Sequence, residues 1–145
     1  MNAHFDPPPG RKAADPPQPR RLDVLLVEDS ENDALLIADA LRRGGYAPRW
    51  TRVESAAELR AALAASAWHA ILSDWRLPGF SALEAFAICR ESGADVPFLI
   101  VSGSIDGELV AAARKMGIRE WVLKDQLERL AGLLAELGAE TPSRD

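Results

Sequence analysis

Leu22-Asp23-Val24-Leu25-Leu26-Val27-Glu28-Asp29 is a short apolar run that ends abruptly in two carboxylates. Val24 to Val27 is too short and too uniformly apolar for a surface helix, and suits a parallel strand buried on both faces. The same kind of run recurs at Ala70-Ile71-Leu72, at Phe98-Leu99-Ile100-Val101 and at Trp121-Val122-Leu123. The stretch from Pro48 to Val53 alternates instead, with Arg49, Thr51 and Arg52 interspersed, and reads as an edge strand with one wetter face.

Segments of helical periodicity lie between these runs. Leu36, Ile37, Ala40 and Leu41 mark one face of a first helix, stopped by Gly44-Gly45. A second carries Leu59, Ala62 and Leu63 behind a capping box of Ser55 and Glu58, and Ser81 with Glu84 repeats that device ahead of Leu83 and Phe86. The fourth sets Leu109, Ala112, Ala113 and Met116 on one side and ends at Gly117. A fifth sets Leu127, Leu130, Ala131, Leu134 and Leu137 on one side, with Asp125 and Glu128 as its expected cap. Strict alternation with right-handed crossovers predicts an α/β fold of the flavodoxin-like, doubly wound kind: a five-stranded parallel sheet, order 2-1-3-4-5, with five helices on both faces.

At 145 residues, 48% hydrophobic and 27% charged, the chain can bury one core. Residues 1–21 read as a disordered, Pro-rich leader, residues 22–138 as the domain and residues 139–145 as a short tail. Arg11, Lys12, Arg20 and Arg21 make the leader positive, whereas the whole chain carries −5. That balance gives no general attraction to nucleic acid or to anionic membranes, and favours protein or metal partners. Neither a spanning stretch of roughly 20 apolar residues nor the apolar core of a signal peptide is present, so a cytoplasmic protein is expected. The single cysteine, Cys89, is expected to be a buried apolar residue, and His69 a surface residue before the third strand.

The chemistry is expected where the strands end. Glu28 and Asp29 follow the first strand and Asp74 the third, and in such sheets ligands gather at the carboxyl ends of strands near the topological switch point. Strand order 2-1-3-4-5 makes those strands neighbours. Three carboxylates in one crevice repel, so a proton or a cation must stabilise them, and hard oxygen ligands favour Mg²⁺. The plainer alternative is that such acids cap the helices that follow, which applies most to Asp29, just ahead of Ser30. Ser102 follows the fourth strand and Lys124 ends the fifth, bringing a hydroxyl and an ammonium to the same edge. Together these groups suit a phosphoryl site, with Asp74 as nucleophile and Ser102 and Lys124 on the phosphoryl oxygens.

Leu26-Val27-Glu28-Asp29, Leu72-Ser73-Asp74-Trp75-Arg76-Leu77-Pro78-Gly79, Val101-Ser102-Gly103 and Val122-Leu123-Lys124 together resemble the hallmarks of the response-regulator receiver domain of two-component signalling, similar to the chemotaxis regulators. The resemblance runs from about Leu22 to Leu137. It implies that Asp29 and Asp74 bind Mg²⁺ directly, that Glu28 does so directly or through water, and that the backbone carbonyl of Arg76 completes the protein ligands. It also implies a switch role for Trp121, three positions before the lysine. Two departures stand out: Glu28 replaces the common aspartate with a longer arm, and Asp125 follows Lys124 where the family has a cis-proline.

The expected function is that of a stand-alone phosphoacceptor, since the residues after Lys124 leave room for one helix and a short tail but no output module. It would not be a conventional enzyme, but would promote its own phosphorylation and dephosphorylation. The implied partners are a sensor histidine kinase or histidine phosphotransfer protein and a downstream protein target. The alternative is a receiver-like scaffold or binding module that never takes phosphate. A flavodoxin-type flavin site or a dehalogenase-type phosphatase is disfavoured, because the first strand ends in Glu28-Asp29 and not in a hydroxyl-rich loop or an Asp-x-Asp pattern.

Overall fold

In the computed structural model, which describes residues 18–139, the opening apolar run becomes strand β1 (Arg20–Val27). There follow α1 (Glu31–Arg43), β2 (Tyr46–Val53), α2 (Ala56–Ala65), β3 (Ala70–Ser73), a small hairpin of β4 (Arg76–Leu77) and β5 (Phe80–Ser81), α3 (Ala82–Glu91), β6 (Phe98–Ser102), α4 (Gly107–Met116), β7 (Glu120–Leu123) and α5 (Leu130–Glu136). The main sheet is parallel, in the order β2-β1-β3-β6-β7. With the hairpin set aside, that is the expected 2-1-3-4-5 order. The hairpin forms its own antiparallel ribbon, with Arg76 opposite Ser81 and Leu77 opposite Phe80.

Alternation along β1 sends side chains to both faces, and all of Val24, Leu25, Leu26 and Val27 are fully buried. Val24 and Leu26 join Ile37, Leu41, Leu130 and Leu134 beneath α1 and α5, while Leu25 and Val27 join Leu59, Ile88, Cys89 and Ile100 on the other face. Each such side chain stabilises the fold by about 1.5–3 kcal/mol relative to exposure. The two layers hold the carboxyl ends of β1, β3, β6 and β7 at one rim.

β1 opens at Arg20, two residues ahead of the expected boundary, because the Arg20 amide donates to the Gly45 carbonyl at 3.0 Å and the ladder pairs Arg20 with Tyr46. Residues 1–17 of the leader and residues 140–145 of the expected tail lie outside the described residues. Ala139, placed in that tail by the sequence reading, is 1% exposed and packs in the core.

Several helical faces are phased differently from expectation. On α1 the buried residues are Ala34, Ile37, Ala38 and Leu41, and Leu36 is 52% exposed. Small alanines let the helix approach the sheet, so the larger leucine is turned outward. On α4 only Ala113 is buried and Met116 faces solvent, as does Leu137 at the C-cap of α5. The expected Asp125–Glu128 cap does not form. Residues Lys124–Arg129 make a 3₁₀ segment kinked at Gln126 (φ −129°, ψ 36°), and α5 begins only at Leu130 without a side-chain cap. His69 is half-buried and structural, its Nδ1 accepting the Asp23 amide at 2.8 Å while its own amide donates to the Asp23 carbonyl at 2.7 Å.

Candidate functional site

Ser30, and not Asp29, caps α1: its Oγ accepts the Asp33 amide at 3.1 Å. That leaves the Asp29 carboxylate available at the rim, where it is exposed and where no hydrogen bond or ion pair engages it among the described residues. Its neighbour Glu28 turns inward and is 2% exposed. Glu28 Oε2 accepts the Ser30 amide at 3.0 Å. Its Oε1 stands 2.9 Å from Lys124 Nζ as an ion pair.

Asp74 sits one residue beyond β3, its amide held by the Val27 carbonyl at 2.8 Å. One carboxylate oxygen, Oδ1, accepts the Trp75 amide at 2.7 Å, and the other, Oδ2, accepts from Lys124 Nζ at 3.2 Å. The pairing of β1 with β3 carries Asp74 to the acid pair, and carboxylate oxygens of Glu28, Asp29 and Asp74 lie within 4.8 Å of one another. Three hard oxygens at that spacing form a donor set that fits Mg²⁺.

Lys124 reaches this cluster from the end of β7 and is shared by three carboxylates. The shortest of its contacts, 2.7 Å, goes to Asp33 Oδ2 on the first turn of α1. Asp33 is the site residue that the strand-end reading misses. No sequence signal marks it: Asp29 lies ahead of the Ser30 cap, so the two share no helical face, and Asp33 reads as one more acid in a first turn.

The electrostatics follow from burial. Loss of water raises the Glu28 pKa and the Asp74 charge adds to the effect, against the opposing bonds from Lys124 and Ser30. Burial works to lower the Lys124 pKa, but the bonds to Asp33 and Glu28 and the Asp74 charge outweigh it and hold the ammonium above the usual lysine range. The lysine is therefore a fixed positive charge at neutral pH.

Ser102 ends β6 and is 6% exposed, paired across the ladder with Leu123, the residue before Lys124. Its Oγ accepts the Ser104 amide at 3.5 Å. Arg76 opens the hairpin with its side chain exposed. Trp121 stands apart from the carboxylates. It pairs with Ile100, is half-buried, lies 5.2 Å beneath the Arg114 guanidinium, and shares a small apolar pocket with Trp75, Ile100, Ile105 and Val110.

A family model described as the response regulator receiver domain matches residues 24–135. The hydrogenase transcriptional regulatory protein HoxA of Cupriavidus necator is 33% identical over 107 residues, which is 72% of this chain and 21% of HoxA. The chain thus spans about a fifth of that relative's length. The signal receiver domain of the NarL response regulator from Mycobacterium tuberculosis superimposes with a TM-score of 0.67 at 20% identity, over 81% of this chain and 98% of that one. The receiver domain of the sensor histidine kinase PA1611 from Pseudomonas aeruginosa PAO1, solved with a magnesium ion coordinated in its active-site cleft, does so with a TM-score of 0.63 at 24% identity, over 80% and 96% of the two chains. At these identities the superpositions speak for the fold.

Proposed function

This chain belongs to the response regulator receiver domain family, and from that premise we propose that Asp74 accepts a phosphoryl group from a phosphohistidine of a sensor histidine kinase or a histidine phosphotransfer protein. The observation that carries the proposal is the gathering of Glu28, Asp29 and Asp74 within 4.8 Å, with Lys124 Nζ 3.2 Å from Asp74 Oδ2. Asp29, Asp74 and Glu28, with the Arg76 carbonyl as the family pattern has it, would hold Mg²⁺. When bound, the ion would offset the carboxylate charge and that of the phosphoryl oxygens.

The chain's own residues then divide the work. The Trp75 amide on Oδ1 fixes the Asp74 carboxylate plane, so that Oδ2 is the oxygen presented to phosphorus. A P–O bond forms at Asp74 as the P–N bond to the donor imidazole breaks, and the nitrogen keeps the electron pair. Lys124 exchanges its contact with Oδ2 for one with a phosphoryl oxygen, and the Ser102 hydroxyl takes another. The protein is therefore both acceptor and partial catalyst, promoting its own phosphorylation and, with water as nucleophile, its own dephosphorylation. Trp121 is the expected switch, and its shared pocket with Trp75, the residue next to the acceptor, supports that role.

Signalling would proceed by contact with a downstream protein in the cytoplasm. No helix among the described residues is long and apolar enough to cross a membrane. HoxA is by name a transcriptional regulator, and what its remaining four-fifths contacts is a property of HoxA. The test is labelling by a cognate kinase or a small phosphodonor. Asp74→Asn should abolish it while the circular dichroism spectrum and melting transition persist, and equal labelling of the variant would overturn the proposal.

A further inference from the structure

Asp29 is the least anchored of the three carboxylates: no side-chain bond holds it, so its position depends on its backbone. That backbone is gripped from β2. The Val53 carbonyl accepts the Glu28 amide at 3.0 Å, and Arg52 Nη1 donates to the Glu28 carbonyl at 3.2 Å and reaches the Asp29 carbonyl at 3.4 Å. The same nitrogen pairs with Glu54 Oε2 at 3.0 Å, and the Glu54 amide is in turn held by Glu58 Oε1 at 2.7 Å at the start of α2. The Arg52 side chain is 25% exposed, so the guanidinium is confined. Its recorded bonds go to carbonyl oxygens and to Glu54, and none goes to a carboxylate of the acid cluster.

We infer that Arg52 is a positioning residue for the metal site: its guanidinium straps the Glu28 and Asp29 carbonyls to the end of β2 and thereby fixes where the Asp29 carboxylate stands. The inference rests on the metal-binding part of the reading above. Arginine suits the task because Nη1, at the end of a long stem, reaches two adjacent carbonyls and an anchoring carboxylate at once, while the planar guanidinium fixes its direction. Lysine also offers a single nitrogen, but on a flexible stem without that planar group, and holds the set less rigidly. Partners that orient metal ligands without touching the metal commonly matter by 10–100-fold in affinity.

The sign of the effect separates positioning from simple charge. Arg52 is a cation beside a cation site, so Coulomb's law alone requires that Arg52→Ala tighten Mg²⁺ binding. Positioning requires the opposite. Titration with Mg²⁺, followed by tryptophan fluorescence and independently by the rise in melting temperature, should show affinity weakened about 5- to 10-fold in Arg52→Ala. Arg52→Lys keeps a donor nitrogen with nearly the reach of Nη1 and should recover part of the loss, whereas Arg52→Gln, whose amide stops about two bonds short, should bind as weakly as Arg52→Ala.

Circular dichroism of the metal-free variants confirms that each is folded, and the glutamine variant keeps the test decisive if the alanine variant is not. Binding by a folded Arg52→Ala or Arg52→Gln that equals or exceeds wild type would overturn the inference. If the alanine variant does not fold, a folded glutamine variant about 5- to 10-fold weaker than wild type upholds the strap. A wild-type chain that ignores Mg²⁺ altogether would overturn the site reading itself, and Arg52's role with it.

Discussion

Lys124 Nζ lies 2.7 Å from Asp33 Oδ2 and 3.2 Å from Asp74 Oδ2, so the ammonium is held from α1 more closely than from the acceptor it is meant to serve. A half-buried lysine with three acidic neighbours couples them, and the coupling has a sign that depends on the lysine. With Lys124 present, Asp33→Asn removes a charge-assisted bond and should cost about 1–2 kcal/mol of stability. With Lys124→Met, the carboxylates face one another unshielded, and Asp33→Asn should then stabilise. Urea unfolding of the four metal-free proteins closes the cycle. An Asp33→Asn effect of the same sign and size in both backgrounds would show that the pair is not coupled.

Glu28 gives a pH dependence to the metal-free fold. Its pKa is raised from 4.5, first by burial, so the unfolded chain releases the proton at lower pH than the native chain does. The native state binds more protons over that window, and stability contributed by neutral Glu28 is lost as pH rises from about 4.5 through the raised native value. Unfolding measured at steps from pH 4.5 to 7, for wild type and Glu28→Gln, should show the wild type losing ground to the variant as pH increases. Mg²⁺ should reverse that trend at pH 7. A difference between the two proteins that does not change with pH would refute the assignment.

The rim of the site was legible because each of its members follows a run that can only be a buried parallel strand. Glu28, Asp74, Ser102 and Lys124 are strand ends, and strand order alone sets them side by side. Asp33 was not legible in that way. It lies on a helix, 91 residues from the lysine it binds, and nothing in its neighbourhood distinguishes it from other acids in a first turn. Arg52 escaped for the opposite reason, since an arginine in an alternating edge strand reads as a solvated face, whereas its stem is covered and its head turns back onto β1. The α1 face was misread because leucine outweighs alanine in any hydrophobic pattern, yet Ala34 and Ala38 make the close contact. The start of α5 was misread because periodicity from Leu127 onward cannot reveal the kink at Gln126.

Gly44 closes α1 against α5. A Cβ built on Gly44 would collide with the Ala131 Cβ, and the Ala131 backbone leaves little room for retreat. Gly44→Ala should therefore destabilise by about 1–3 kcal/mol, the usual cost of overpacking. Adding Ala131→Gly should recover part of that loss, even though glycine inside α5 itself costs about 1 kcal/mol. Thermal melts of the single and double variants decide the matter, and a Gly44→Ala protein as stable as wild type would show that the two helices can part without cost.

Cys89 tests the other layer of the core. The thiol sits on α3 among Leu59, Ile88 and Ile100, is 3% exposed, and has its pKa pushed up to about 12 by burial. At pH 8 only about one native molecule in ten thousand then carries the reactive thiolate, against roughly a tenth for the unfolded thiol. A thiol reagent should consequently modify the native chain only through molecules that have opened, and modify the single cysteine promptly in guanidinium chloride. Because labelling then reports the open population, Gly44→Ala should accelerate it by up to about tenfold for each 1.4 kcal/mol of stability lost. The same shift acts on alkaline stability: the unfolded chain releases this proton near pH 9.0 and the native chain only near 12, so stability falls as pH rises through that interval. Cys89→Ala lacks that proton and should decline less over the same range. Fast labelling of the native protein, unaffected by Gly44→Ala, would mean that α3 does not seal this face of the sheet.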